Sequence, residues 1–169
     1  MSYQEKRIIV SIITGVFILV AYCTYVYGKY QAGAIAADDL KFWAATILIF
    51  IGIGIVASIV IQIIFHISLS IAIAVKNEMK NGKCDEKVVE KTIELEMVED
   101  EMDKLIGLKS LKVGFAIAGV GFIAAMGSLV LNFSSAVMIN IIFLSFSVGS
   151  MIEGFTQLYF YRRGVKNGK

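Results

Sequence analysis

Residues 111–161, LKVGFAIAGVGFIAAMGSLVLNFSSAVMINIIFLSFSVGSMIEGFTQLYFY, decide the fold of this chain. This stretch is apolar over almost its whole length and carries two charged residues, Lys112 and Glu153. A membrane-spanning helix needs about 20 consecutive apolar residues, so the stretch is too long for a single span. The polar sequence LNFSS at 131–135 divides it, and the division predicts two antiparallel membrane helices.

Two further apolar blocks, Ile8–Tyr27 and Phe42–Val75, precede this stretch, and 57% of the whole chain is hydrophobic. That proportion exceeds the usual proportion in soluble domains. We therefore predict an all-α, four-helix transmembrane bundle that forms one integral membrane domain over residues 1–169. The predicted helices cover about residues 7–28, 39–80, 86–131 and 136–162.

The first block could instead be a cleaved signal peptide, because Lys6 and Arg7 precede it and the small residues AGAIAA follow at 32–37. Its apolar run of roughly 20 residues is longer than the apolar region of a usual signal peptide, which has 7–15 residues. Four tyrosines near its end also have the pattern of an interfacial aromatic belt; they are Tyr22, Tyr25, Tyr27 and Tyr30. We predict a retained helix.

The distribution of basic residues orients the helices. Of the 16 lysines and arginines, Lys29 and Lys41 lie in the 28–41 loop and none lies in the 132–136 loop. Cytoplasmic loops carry the excess of basic residues in membrane proteins. The sequence therefore predicts a multi-pass protein of the cell membrane with both termini in the cytoplasm. Phe42 and Trp43 are expected to mark the outer interface, at the start of helix 2.

The region between the second and third apolar blocks is predicted to form a cytoplasmic helical hairpin over about residues 70–109. Helix 2 is longer than a span requires, and the chain contains no proline that would break helix 3 between residue 86 and the membrane. One face of the region is apolar and includes Val88, Leu95, Val98, Met102 and Leu105. The opposite face is acidic and includes Glu96, Glu99, Asp100 and Asp103. These faces are candidate partner-binding surfaces; the alternative is a solvated acidic face.

Helix 3 carries a seam of small residues at spacings of 4, 3, 4 and 3: Gly114, Ala118, Gly121, Ala125 and Ser128. Small residues let helix backbones approach closely, which stabilises helix association in lipid. The seam therefore predicts helix packing. We expect the protein to form a homo-oligomer, and the sequence alone leaves open whether the seam contacts helix 4 or a second copy of the chain.

Five polar residues are predicted to converge on an intramembrane site near the cytoplasmic side: Gln62, His66, Lys112, Glu153 and Thr156. A carboxylate inside the bilayer is costly and is usually paired, or else lies in a wet cavity. We expect Glu153 to pair with Lys112 or to bond to helix 2 as a protonated carboxyl group; the alternative is a transport role. For His66, the alternatives are a contact with lipid headgroups and a proton-carrying role.

The stretch EDEMDKLIGLKSLKVGF at 99–115 resembles a motif of small prokaryotic membrane proteins of unknown function. Their pattern is roughly D-E-R-x-x-x-I-x-x-K-[AS], placed just before a membrane helix. The matching positions are Asp100, Glu101, Met102, Ile106, Lys109 and Ser110, with Met102 in place of the arginine. The resemblance implies a membrane component of a regulatory or stress-response module, found beside helix-turn-helix regulators. It implies no catalytic residues.

The sequence indicates a non-enzyme, because it contains no recognisable nucleophile–base pair, phosphate-binding glycine loop or metal-ligand cluster. We expect no catalytic residues, no metal site, no cofactor and no direct binding of nucleic acid. Our first hypothesis is a membrane-anchored interaction or regulatory protein. Its hairpin would bind a cytoplasmic partner such as a helix-turn-helix regulator. The alternative is a small oligomeric transporter or channel with Glu153 in its intramembrane site.

Overall fold

The computed structural model describes residues 3–33, 39–81 and 100–164, and these residues form four long helices. The helices are α1 (Tyr3–Gln31), α2 (Leu40–Asn81), α3 (Glu101–Val130) and α4 (Ser135–Arg163). Each contains a stretch that is long and apolar enough to cross a membrane. The prediction of four long apolar helices is therefore confirmed.

The described helices expose many large apolar side chains. Large side chains such as Phe17, Ile49 and Ile123 are 61–71% exposed. Exposed apolar surface on this scale is unfavourable in water, where it would mark an aggregation site or an interface. In a bilayer the same surface is solvated by hydrocarbon, so the fold is compatible with a multi-pass membrane protein.

The start of α3 differs from its prediction. Asp100 has an extended backbone (φ −80°, ψ 175°), and its Oδ1 accepts a hydrogen bond of 2.7 Å from the amide of Asp103. The Asp103 carboxylate in turn accepts a hydrogen bond of 3.1 Å from the amide of Asp100. This reciprocal capping box begins a helix. An unbroken third helix from residue 86 is therefore wrong. Residues 82–99, which form the central part of the predicted hairpin, lie outside the described part of the chain.

The helices α3 and α4 form the most tightly packed pair of the bundle. The connection includes Asn132 at φ 61°, and Ser134 is the N-cap of α4. The small-residue seam of α3 faces α4, with Ala118 and Ala125 at most 4% exposed. A Cβ added at Gly114 would lie 2.8 Å from the backbone oxygen of Gly149. The two backbones approach this closely because both positions are glycine.

The helices α1 and α2 pack against α4 and against each other. Ile12 of α1 lies against Gly154 of α4, where a Cβ would come within 2.6 Å of the Ile12 side chain. Ile18 of α1 lies opposite Gly54 of α2, at 3.6 Å from a Cβ built there. The described helices contain no comparable packing of α2 along α3.

Two aromatic residues that the sequence placed in interfacial belts are instead buried. Tyr22 is 2% exposed and its ring lies 5.3 Å from that of Phe50 and 4.6 Å from that of Phe143. Trp43 is 8% exposed and packs beside Ala136. Each of these two side chains faces a neighbouring helix, and their position at a membrane interface stays a prediction. The other three tyrosines of the predicted belt are exposed.

Candidate functional site

A cavity of about 1590 Å³ lies among the four helices. Its walls are mostly aliphatic and aromatic, from residues such as Ile18, Leu19, Ile55, Leu111 and Phe146. Because the described residues show no comparable packing of α2 along α3, these two helices do not close the cavity against each other.

One end of this cavity is polar. Gln4 and Arg7 of α1, Gln62 of α2, and Glu153 and Gln157 of α4 line the walls there. We call this region the polar end, together with the neighbouring lining residues Asp103, Lys104 and Tyr161. All four helices therefore contribute to it. A ligand that fits the whole cavity must have a long apolar part and a polar group at one end.

The packing contacts place these polar side chains toward the same end of the bundle. Because Ile12 lies opposite Gly154 in an antiparallel pair, the preceding turns of α1 run alongside the last turns of α4. Likewise Tyr3 contacts His66, so Gln62 lies one turn from the N-terminal end of α1. Gln62 and Glu153, which are 91 positions apart in the chain, are thereby brought to the same cavity wall.

The Glu153 carboxylate is held by its own helix. Its Oε1 accepts a hydrogen bond of 3.2 Å from Nε2 of Gln157. Gly114 faces Glu153, with 2.9 Å between Glu153 Cβ and a Cβ built at Gly114. Lys112, two residues earlier, is exposed. Two residues correspond to a rotation of about 200° around a helix, so Lys112 points away from α4. The predicted ion pair between Lys112 and Glu153 is therefore wrong.

The remaining residues of the predicted polar site have separate partners. The Tyr3 hydroxyl lies 2.7 Å from Nε2 and 2.9 Å from Nδ1 of His66. The Thr156 hydroxyl donates a hydrogen bond of 2.7 Å to the backbone oxygen of Ile152, within α4. Of the five residues that the sequence grouped together, Gln62 and Glu153 line the cavity and the other three do not.

The predicted partner-binding residues lie partly at the polar end and partly outside the described chain. Asp100 forms the cap of α3, and Oδ1 of Asp103 accepts a hydrogen bond of 2.6 Å from the Tyr161 hydroxyl. Met102 is 50% exposed and Leu105 is half-buried. The other predicted members, Leu95, Glu96, Val98 and Glu99, are outside the described residues. Binding of a partner by this surface stays a prediction.

Several residues of the site were missed by sequence reasoning. Gln4 is 8% exposed, and its Nε2 has no hydrogen-bond partner among the residues that the structure describes. Gln157 binds Glu153 one turn along α4. The i, i+4 spacing of Glu153 and Gln157 could have indicated their contact. No signal in the sequence indicates that Gln4 is buried, because it lies among charged residues at the start of the chain.

In the resembled motif, Ile106 and Ser110 are buried on the inner face of α3, at 3% and 0% exposure. Met102, at the position of the family's arginine, is exposed. Membership of that family stays a prediction. Comparisons of the chain with protein family models, curated protein sequences and solved structures found no match.

Proposed function

We propose that this protein is a small membrane transporter that binds an amphiphilic substrate taken up sideways from the bilayer. The observation that carries the proposal is the cavity, which is lined mostly by apolar residues, has polar residues toward one end and is bordered by α2 and α3, two helices that do not pack closely along each other. The proposal makes the second hypothesis from the sequence, a small transporter or channel, more specific. Glu153 is then a substrate-binding residue.

The size of the cavity matches an amphiphile from one leaflet. Its lining runs along α1 from Gln4 to Leu19, a distance of about 22 Å at 1.5 Å per residue. Half of a bilayer measures roughly 20–22 Å including its headgroup region. An apolar space of this size that opens to lipid is filled by hydrocarbon. If it were empty, the atoms of its walls would lose their dispersion contacts on that side.

The polar end gives the cavity its specificity. Glu153 and two glutamines, Gln62 and Gln157, present hydrogen-bonding groups that a hydrocarbon chain cannot satisfy. A bound amphiphile would satisfy them with its polar group. Ligand sites typically combine such an apolar lining with a few placed polar groups.

The binding step can be tested with a phosphatidylcholine that carries a diazirine in its acyl chain. The purified protein in nanodiscs would be irradiated, and the labelled peptides would be mapped by mass spectrometry. We expect labels on residues of the cavity wall, with at least a tenfold loss in Ser150→Trp, because Ser150 lines the cavity and is replaced by a large side chain. The matched control is Ile123→Trp on the outer surface, where the residue is 71% exposed.

The transport step needs its own measurement. Proteoliposomes with a fluorescent phospholipid in one leaflet would report its movement to the other leaflet. We expect faster movement than in protein-free liposomes, and a loss of the acceleration in Ser150→Trp and not in Ile123→Trp. Equal labelling of both tryptophan variants would refute the binding site, and labelling without movement would refute transport.

A further inference from the structure

Two serines on neighbouring helices lie at one level of the cavity. The helices α1 and α2 run in opposite directions, and Tyr3 of α1 contacts His66 of α2. Ser11 and Ser58 are each eight residues from this contact, which is about 12 Å along either helix at 1.5 Å per residue. Both serines line the cavity. They therefore face the same space from the same height.

The Glu153 carboxylate reaches this level from α4. Ser11 directly precedes Ile12, which lies against Gly154, and Gly154 directly follows Glu153. Glu153 also lines the cavity. Three helices thus each place one oxygen-bearing side chain at this height, and we call Ser11, Ser58 and Glu153 the polar layer.

The two hydroxyls of the polar layer are not used by their own helices. Thr14 of α1 and Ser70 of α2 each donate a hydrogen bond of 2.9 Å to the carbonyl four residues earlier. Among the described residues, Ser11 and Ser58 make no such bond. A hydroxyl in apolar surroundings is costly without a partner, so both are placed to bind a polar group in the cavity.

The carboxylate of the polar layer has no cationic partner within the described chain. Glu153 accepts a hydrogen bond of 3.2 Å from Gln157, and no described lysine, arginine or histidine forms an ion pair with it. An acidic residue inside a membrane span is usually paired with a group of opposite charge or lies in a wet cavity. A ligand in this cavity can supply the positive charge.

The other charged residues of the cavity wall lie away from the polar layer. Arg7 precedes Ser11 by four residues, about 6 Å along α1, and interacts with another group of the protein. Asp103 and Lys104 carry opposite charges and lie at least about 15 Å along α3 from Gly114, which faces the carboxylate of the layer. Among the described lining residues, that carboxylate is therefore the one charged group at its level.

We propose that the polar layer binds the protonated amine of a long-chain amphiphile. This inference rests on the proposed amphiphile-binding function and names its ligand class. Glu153 supplies the negative charge, and the hydroxyl oxygens of Ser11 and Ser58 are further acceptors for an ammonium group, which has three N–H donors. The hydrocarbon chain extends from the layer along apolar lining residues such as Leu19 and Phe143.

Three photoreactive probes that share one diazirine-bearing chain test the preference for an amine: hexadecylamine, hexadecanol and hexadecanoic acid. Each would be added in a small fraction to the full-length protein in phosphatidylcholine nanodiscs. We expect at least tenfold more cavity labelling from the amine than from the alcohol, because hydrogen bonds between charged groups are the stronger ones. Equal labelling by these two probes would overturn the amine site and leave the proposed function standing. A lack of labelling by any probe would overturn both.

The two carboxylates of the cavity wall provide a matched pair of variants. Glu153→Gln should lose the preference for the amine, while its labelling by the alcohol shows that the cavity is intact. Asp103→Asn, which removes the other negative charge of the wall, should keep the preference. Loss of the preference in Asp103→Asn, or its survival in Glu153→Gln, would contradict the proposal.

The serines have a control of their own. The double variant Ser11→Ala, Ser58→Ala should lower the preference about threefold, as expected for the loss of neutral hydrogen bonds. Ser147→Ala should leave it unchanged, because the Ser147 hydroxyl lines the cavity but already donates to the carbonyl of Phe143. An unchanged preference in the double variant would refute the polar layer.

A soluble amine is the other possible source of the same chemistry. Excess propylamine would be added to the hexadecylamine sample before irradiation. We expect the labelling to stay unchanged, because propylamine has no long chain to occupy the apolar part of the cavity. Displacement of the label by propylamine would show a cation site that does not require an amphiphile and would contradict the proposal.

Discussion

The Tyr22 hydroxyl donates a hydrogen bond to the side-chain oxygen of Asn140, and this bond joins α1 to α4 within the apolar bundle. Asn140 also donates a hydrogen bond of 2.8 Å from Nδ2 to the backbone oxygen of Ala136. Tyr22 is 2% exposed and packs between aromatic rings of α2 and α4. The pair therefore fixes three helices at the end of the bundle opposite the polar end of the cavity.

Removing this bond should destabilise the bundle. For Tyr22→Phe and Asn140→Leu we expect a coupling free energy of about 0.6–1.7 kcal/mol, the range measured for hydrogen bonds between membrane helices. Unfolding in mixed micelles can be followed through the fluorescence of Trp43, the single tryptophan of the chain. Tyr25→Phe, at a 42% exposed position, is the matched control and should change stability little. Additive effects of the two substitutions would contradict the bond.

Glu153 and Lys112 should be energetically independent. Lys112 is exposed and points away from α4, while Glu153 accepts a hydrogen bond from Gln157. In a double-mutant cycle with Lys112→Gln and Glu153→Gln we expect a coupling below about 0.3 kcal/mol, as for unpaired surface charges. A parallel cycle of Glu153→Gln with Gln157→Leu should give the larger coupling. A larger coupling between Lys112 and Glu153 than between Glu153 and Gln157 would support the ion pair that the sequence predicted.

Close packing of α3 on α4 should require a residue without a side chain at position 114, where the protein has Gly114. In Gly114→Ala the new Cβ meets the Gly149 backbone oxygen, so we expect a loss of about 1–3 kcal/mol from the free energy of unfolding. Gly119→Ala on the same helix meets nothing within 4 Å and should be neutral or stabilising by up to about 1 kcal/mol. Equal effects of both variants would show that the two backbones are not in contact.

The start of α3 should depend on the cap at Asp100. Asp100→Ala removes the acceptor for the Asp103 amide, and loss of such a cap costs about 0.5–2 kcal/mol. Hydrogen–deuterium exchange of the amides of residues 101–104 should become faster. Asp100→Asn keeps an acceptor and is the matched control, with exchange close to that of the unmodified protein. Equally fast exchange in both variants would mean that charge, and not capping, protects these amides.

The acidic surface can be tested for partner binding without disturbing the cap. Glu96→Gln with Glu99→Gln removes two charges and leaves the capping box of Asp100 and Asp103 in place. If the interaction hypothesis is correct, a soluble protein that crosslinks to the unmodified chain in native membranes will be lost from this variant. High salt should weaken its capture as well, because salt screens exposed charges. Unchanged capture would exclude these two glutamates as the docking site.

Sequence by itself determined the four long apolar helices of the described residues and the division of the last apolar stretch. Both depend on local runs of apolar residues and on the polar cluster near residue 133. It did not determine where α3 begins. The capping box of Asp100 and Asp103 interrupts the continuous helix that the sequence predicted. Several acidic residues around it could have begun a helix equally well, so the sequence alone does not select one.

Only the tertiary structure decided which polar residues meet. Lys112 and Glu153 lie near the same height, but the rotation of α3 turns Gly114 toward Glu153 and Lys112 away from it. The place of a residue within an apolar run indicates its height in a membrane helix. The rotation of that helix, which decides the direction each side chain faces, is set by packing against the neighbouring helices. For the same reason the cavity, the buried Gln4 and the bond between Tyr22 and Asn140 are properties of the assembled bundle.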